Sequence, residues 1–202
     1  MMALKSSKEL ELRLERLTKI PDPSSDLEQY STDAGTASHI LTLAYLRDDV
    51  EGRVVADLGS GSGTFAYGAC ALGASKVYAV ERDPRLAGLL AENLSGQPVE
   101  IMISDVSEFT EQVDTIFMNP PFGSVKPHAD LPFLNAARRT ARVVYSIHNY
   151  RSRNFIVEYF SRYGDIFLNE RIDLMVPQIF PHHVRKVAPI PSVLVGVKFS
   201  RL

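Results

Sequence analysis

Val54-Val55-Ala56-Asp57-Leu58-Gly59-Ser60-Gly61-Ser62-Gly63-Thr64-Phe65 is the stretch that decides the fold. An apolar run ends on a carboxylate, turns through three alternating glycines and enters a helix-like segment through Ala66, Ala69, Cys70 and Leu72. Glycine at 59, 61 and 63 lets the backbone turn sharply and lets a ligand approach it closely. The spacing is G-x-G-x-G rather than the G-x-G-x-x-G of dinucleotide enzymes. No Lys-Ser/Thr follows, which argues against a phosphate-cradling P-loop.

Outward from the turn, Lys76-Val77-Tyr78-Ala79-Val80 reads as the next strand, closed by Glu81. An acidic residue about 20 positions after such a turn can hold both hydroxyls of a ribose. Val99-Glu100-Ile101-Met102-Ile103-Ser104 leads to Asp105, which can accept from an adenine amino group. Three strand ends closed by carboxylates on one sheet edge form a nucleoside-shaped site. A fourth run, Val113-Asp114-Thr115-Ile116-Phe117-Met118, meets Asn119-Pro120-Pro121-Phe122. The Asn119 side-chain oxygen and the Pro120 carbonyl can each accept one N–H of an amine or amide. The prolines fix φ and remove donors, so the acceptors point one way, and Phe122 offers a face for a planar group. A plain strand-ending loop is the competing reading, since Pro ends strands anywhere.

Strand and helix patterns alternate: strand 54–58, helix 64–72, strand 77–80, helix 84–94, strand 99–104, strand 115–118, helix 131–141, strand 142–147 and helix 153–163. Such alternation argues for βαβ units and a parallel sheet. Strands 165–175 and 193–199 are expected to pair as an antiparallel hairpin across a long loop at 177–191. Residues 5–20 carry Leu10, Leu14 and Leu17 at helical spacing, with Pro21 and Pro23 as the stop.

The 202 residues suffice for one domain with a sizeable core. With 45% hydrophobic and 23% charged residues the composition is that of an ordinary soluble protein, and no run reaches membrane-spanning length. One cysteine excludes an internal disulfide framework and a cysteine-based zinc site, and the cytoplasm is the default location. The Asn93-Leu94-Ser95 sequon is a chance match. The net charge of −2 is low for a nucleic-acid enzyme, but Arg151, Arg153, Arg185 and Lys186 gather in the second half as a candidate basic patch. Arg138 and Arg139 read as solvated helix charges.

Taken together, Asp57-Leu58-Gly59-Ser60-Gly61-Ser62-Gly63, Glu81, Asp105 and Asn119-Pro120-Pro121-Phe122 resemble a class I S-adenosylmethionine-dependent methyltransferase of the amino-methylating kind. Leu27-Glu28-Gln29-Tyr30-Ser31-Thr32, the same turn with Gly123, and Tyr145-Ser146-Ile147-His148 narrow the resemblance to the family of methyltransferase-like protein 5 and its archaeal relatives. The resemblance implies a single-domain Rossmann-like α/β fold, with a seven-stranded mostly parallel sheet, one antiparallel edge strand and helices on both faces. Residues 1–50 would be an N-terminal helical segment and cofactor lid, and 51–202 the core. It also implies N6 methylation of adenosine in small-subunit ribosomal RNA and a small zinc-containing activator protein as partner. This sequence departs from the family at Ser60 and Ser62, where such loops often carry Cys, at Glu81 in place of Asp, and after His148.

The candidate cofactor residues are Gln29, Tyr30 and Thr32, closing over the ligand as the resemblance implies, with Asp57, Gly59, Gly61, Gly63, Thr64, Glu81, Asp105, Val106 and Asn119. The candidate catalytic set is Asn119, Pro120, Pro121 and Phe122. Substrate contacts are expected at Phe122, Gly123, His148, Arg151, His182, Arg185 and Lys186, under a flap at 123–130. His148 is read as a polar contact rather than a base, and adjacent His182 and His183 are poorly spaced for a metal. Other readings of the same turn are a glutamine-N5 protein methyltransferase, a guanine-N2 RNA methyltransferase and a cofactor-binding assembly factor without catalysis. Phe122 in place of Tyr and the short N-terminal segment argue against the first. The glycine spacing disfavours a hydride-transfer oxidoreductase.

Overall fold

Seven strands form one sheet: β1 Val54–Leu58, β2 Lys76–Glu81, β3 Val99–Ile103, β4 Val113–Met118, β5 Ala141–Asn149, β6 Gly164–Gln178 and β7 Lys186–Phe199. Their order is β3-β2-β1-β4-β5-β7-β6. The computed structural model describes residues 6–24, 28–29, 31–123, 125–178 and 186–199, with 176–178 and 186–188 described by their backbone alone. β1 to β5 are parallel, and β7 runs antiparallel to both β5 and β6. The reversed strand, β7, lies one position in from the sheet edge, which β6 occupies, and not at the edge itself as expected.

The central strands are near-continuous apolar runs because helices cover both faces. Side chains alternate across the sheet. Val55, Val77, Ala79, Phe117, Tyr145 and Ile147 pack on one face against α1 Ser7–Glu15, α2 Ala34–Tyr45, α3 Thr64–Ala71 and α4 Ala87–Asn93. Ala56, Leu58, Val80, Ile116, Met118 and Val144 pack on the other against α5 Leu131–Thr140 and α6 Arg153–Ser161. Fully buried Phe117 stacks between Phe65 and Tyr145, with both ring centroids at 5.5 Å, directly before the Asn119 turn. Phe117→Ala would cost about 3–5 kcal/mol by leaving a cavity. No helix among the described residues is long and apolar enough to cross a membrane.

Two boundary expectations are corrected. The first helix ends at Glu15, well before Pro21. Asn93 takes over the chain beyond it: Thr18 N–H donates to Asn93 Oδ1 and Asn93 Nδ2 donates to the Thr18 carbonyl, both at 3.0 Å. The hairpin is also longer than expected. Pro177, Pro189 and Pro191, read as loop residues, lie within the paired strands, opposite Val187, Met175 and Asp173. β7 pairs with β5 only from Ser192 onward. The earlier part of β7 therefore has one unpaired edge, where a missing proline donor costs nothing.

Candidate active site

β1 and β4 are neighbours, and the chain direction of crossovers reverses between them. Ligands of open α/β sheets bind outside the carboxyl ends of strands at such a point. A cavity of about 320 Å³ opens there, lined by Gln29, Gly59, Gly61, Glu81, Asp105 and Asn119 among others.

The glycine turn is held entirely by its own chain. Gly59 and Ser60 N–H both donate to the Val80 carbonyl at 2.9 Å, Gly63 N–H donates to the Ser60 carbonyl at 2.7 Å, and Gly61 N–H donates to Glu81 Oε2 at 2.9 Å. With those four donors spent, the turn has few N–H groups left to cradle a phosphate. Gly59 has φ +75°, and a Cβ there would lie 3.0 Å from Phe133 Cε1. Asn93 Nδ2 also donates to the Ser62 carbonyl at 2.8 Å, so the sequon amide is committed to the loop.

Each carboxylate has a separate environment. Asp57 is 2% exposed and accepts Ala66 N–H at 2.9 Å, which ties β1 to α3. Burial lifts its carboxyl to about 7, against the pull of the Ala66 N–H and with a push from Glu81. Glu81 accepts Gly61 N–H on one oxygen and Asp83 N–H on the other, both at 2.9 Å. One acceptor position remains on each oxygen, as a pair of vicinal hydroxyls requires. Asp83 is held well below the usual carboxylate range, chiefly by the Arg85 guanidinium, and it accepts Gln29 Nε2 at 2.9 Å. Asp105 is held down by Ser107, whose hydroxyl and N–H both donate to its Oδ1.

The Asn119 turn is built differently. Asn119 Nδ2 donates to Thr32 Oγ1 at 3.1 Å, which fixes the amide, yet buried Oδ1 has no partner. Ser104 Oγ, on the cavity wall, is the other buried side-chain oxygen without one among the described residues. Unpartnered buried acceptors are costly and rare, so two at one cavity mark a place for donors from outside the chain.

Of the candidate cofactor residues, Gln29, Gly59, Gly61, Glu81, Asp105, Val106 and Asn119 line the cavity. Thr32, Asp57, Gly63 and Thr64 stand behind it as supports. Pro121 lines the cavity; Phe122 does not, and is half-buried beside it, packing on the α1–α4 side. The expectation for His148 is corrected. It is 2% exposed, bonded through Nε2 to Ser146 Oγ at 2.5 Å and facing Asp130 Oδ2 at 3.9 Å through Nδ1. Burial pushes it down to about 3, so it is neutral and enclosed beside Asp130 rather than open to a substrate. Gly123 has φ +77° in the turn after Phe122. Arg151 is exposed just past β5, and Arg153 Nε donates to Asn169 Oδ1 on β6. Tyr30, His182 and Arg185 lie outside the described residues, as does the side chain of Lys186.

Sequence reading missed Glu28, Arg82, Lys126, His128 and Phe133 as cavity walls. Glu28 carried a signal, because it sits in the Leu27-Glu28-Gln29-Tyr30 string. Phe133 carried none, because its contact with Gly59 depends on how α5 crosses the sheet edge. No three His, Cys, Asp or Glu side chains among the described residues come together as a metal site.

Comparison with known proteins agrees with this geometry. Residues 29–141 match the family described as the methyltransferase small domain. An uncharacterised protein of Methanocaldococcus jannaschii is 34% identical, over 95% of this chain and 93% of its own. The rRNA N(6)-adenosine-methyltransferase METTL5 of Danio rerio is 30% identical over 96% of this chain and 97% of its own. A crystal structure from Pyrococcus horikoshii, provisionally described as an RNA methyltransferase, superimposes with a TM-score of 0.90 at 39% identity, covering 98% of this chain and all of that one.

Proposed function

The chain belongs to the methyltransferase small domain family and, within it, to the group of METTL5 and its archaeal relatives, and from that premise we propose that it is an S-adenosylmethionine-dependent N6-adenine RNA methyltransferase acting on small-subunit ribosomal RNA. One observation carries the chemistry: the buried, unpartnered Oδ1 of Asn119 beside the cavity. When bound, the cofactor supplies an electrophilic methyl carbon on a positively charged sulfur. The residues fit it. Glu81 has two free acceptor positions for the ribose hydroxyls, and Asp105 keeps an oxygen free for the adenine amine. Gly59 and Gly61 keep the wall free of side chains.

Asn119 Oδ1 and the Pro120 carbonyl accept the two N–H groups of the target amine. An adenine amine is conjugated with its ring and is a poor nucleophile. Two fixed acceptors turn its lone pair toward the methyl carbon and stabilise the positive charge that grows on nitrogen. Positioning of this kind can supply roughly 7–11 kcal/mol of barrier reduction. No side-chain base is needed before attack, and the proton leaves the product amine afterwards. Phe122 takes the base by its face once the base is out of its stack, and Arg151, His182, Arg185 and Lys186 hold the RNA backbone.

The enzyme acts in the cytoplasm, together with a small zinc-containing activator protein. Incubation with labelled methyl donor and unmodified small-subunit rRNA, with and without that activator, followed by digestion to nucleosides, tests the reading. Label in N6-methyladenosine is the expected result. Label in N2-methylguanosine, or in a protein fraction only, would replace it with one of the other amino-methylating readings.

A further inference from the structure

Two adjacent residues grip opposite walls of the site. Glu28 Oε2 accepts Phe122 N–H at 2.8 Å and Glu28 Oε1 accepts Val125 N–H at 2.9 Å, from positions 94 and 97 residues further along the chain. Gln29 faces the other way: its Nε2 donates to Asp83 Oδ2 at 2.9 Å, and its Oε1 accepts Ser24 N–H at 2.8 Å. Both residues line the cavity. Glu28 has φ +48°, a left-handed conformation that a side-chain-bearing residue adopts at a cost and keeps only when its surroundings hold it.

The prolines explain why the turn needs an outside hold. Pro120 and Pro121 have no N–H, so that part of the turn cannot be knitted by backbone hydrogen bonds. Phe122 supplies the first N–H after them, and it goes to Glu28. A carboxylate offers two acceptor oxygens to two diverging N–H groups, whereas an amide offers one oxygen and would point its NH₂ at the second donor.

We infer that Glu28 is a positioning residue for methyl transfer: it fastens the Asn119-Pro120-Pro121-Phe122 turn and, through Gln29, couples the filling of the cofactor cavity to the setting of that turn. This rests on the reading of that turn as the holder of the target amine. Glu28 itself touches neither reacting atom. Its effect falls on the rate of transfer at saturating cofactor, because a small misplacement of the acceptors lowers the rate without removing the cofactor's own contacts.

The test compares wild type with Glu28→Gln, and with Glu28→Asp, which keeps the charge but shortens the reach. Amide hydrogen exchange at Phe122 and Val125 is measured with and without S-adenosylhomocysteine, alongside single-turnover methyl transfer. In Glu28→Gln, exchange at both amides is expected to quicken about tenfold or more, while β4 amides stay protected. The transfer rate is expected to fall about 10–100-fold, and S-adenosylhomocysteine affinity to change less than about threefold. Glu28→Asp moves the same way. In wild type, S-adenosylhomocysteine slows exchange at the two amides, and the variants lose that response. Unchanged exchange at Phe122 and Val125 would overturn the inference. So would a transfer rate within about twofold of wild type, or cofactor-product affinity falling in step with the rate. If wild type transfers no methyl group to RNA, the functional reading fails alone, and the exchange comparison still decides whether Glu28 fastens the turn.

Discussion

The two halves of the site are finished to different degrees. In the β1–β2–β3 half the chain answers most of its own donors and acceptors, Ser104 Oγ excepted: the glycine turn donates to Val80, Ser60 and Glu81, and Asp57 is closed by Ala66. In the β4 half, Asn119 Oδ1 is left open and the adjoining turn hangs on a carboxylate from far away in sequence. A ligand held in every catalytic cycle is served by a cradle whose backbone is fixed by its own chain and whose few open acceptors face the ligand. A group that must be gripped only as charge develops is served by acceptors that wait unpaired, since interactions strengthened in the transition state are those that raise the rate.

The largest effect that can break this comparison is expected at Asn119. Asn119→Ala should lower kcat by about 10²–10³-fold, the scale seen when one group stabilising developing charge is removed. Calorimetry with S-adenosylhomocysteine should show affinity kept within about threefold. Next comes the cofactor half. Glu81→Ala should weaken S-adenosylhomocysteine binding roughly 10–100-fold, because it deletes charge-assisted hydrogen bonds and frees the Gly61 N–H. A Glu81→Ala enzyme that binds normally but turns over slowly would reverse the assignment of the halves. A smaller effect is expected for Gly59→Ala, where a positive φ and the Phe133 ring both oppose a Cβ. About 1–3 kcal/mol of strain should appear as a lower melting temperature and weaker cofactor binding.

The smallest effect sharpens the contrast through pH. Asp57 titrates in the folded chain at about 7 rather than 3.8, so it contributes stability that is full below pH 3.8 and lost as pH rises to about 7. His148 titrates at about 3 rather than 6.5, so it contributes stability present above pH 6.5 and lost as pH falls toward 3. Over the shared window the two slopes oppose. Denaturant unfolding of Asp57→Asn should show stability climbing with pH there, because His148 is left alone. His148→Gln should show it declining. Two variants that both track wild type would remove this account of the buried pair.

The contrast also marks what could be read without the structure. The glycine turn was legible because its signals are local: positive φ at Gly59, Gly61 and Gly63 permits few other residues, and Glu81 follows at the end of the next strand. Asn119 stands out only in combination: Asn-Pro-Pro alone also reads as a plain strand end, and it is the glycine turn upstream that directs attention to it. The role of Glu28 was not legible, although its string was, because its partners are brought to it only when the turn after β4 meets the segment before α2. His148 was misread for a related reason. A histidine at a strand end looks open until Asp130, at the start of α5, closes over it. The hairpin reads short in the sequence because prolines speak for a turn in isolation, whereas the free edge of β7 at Pro189 and Pro191, and the edge position of β6 at Pro177, are properties of the sheet.

A crystal structure of the chain with S-adenosylhomocysteine and a short RNA carrying an unpaired adenosine would test most directly whether the Asn119 turn holds the target amine. The expected result is the exocyclic N6 within about 2.7–3.2 Å of both Asn119 Oδ1 and the Pro120 carbonyl, with the base against Phe122. An adenosine whose N6 faces neither acceptor, or an Asn119 Oδ1 taken by a donor of the chain itself, would contradict it.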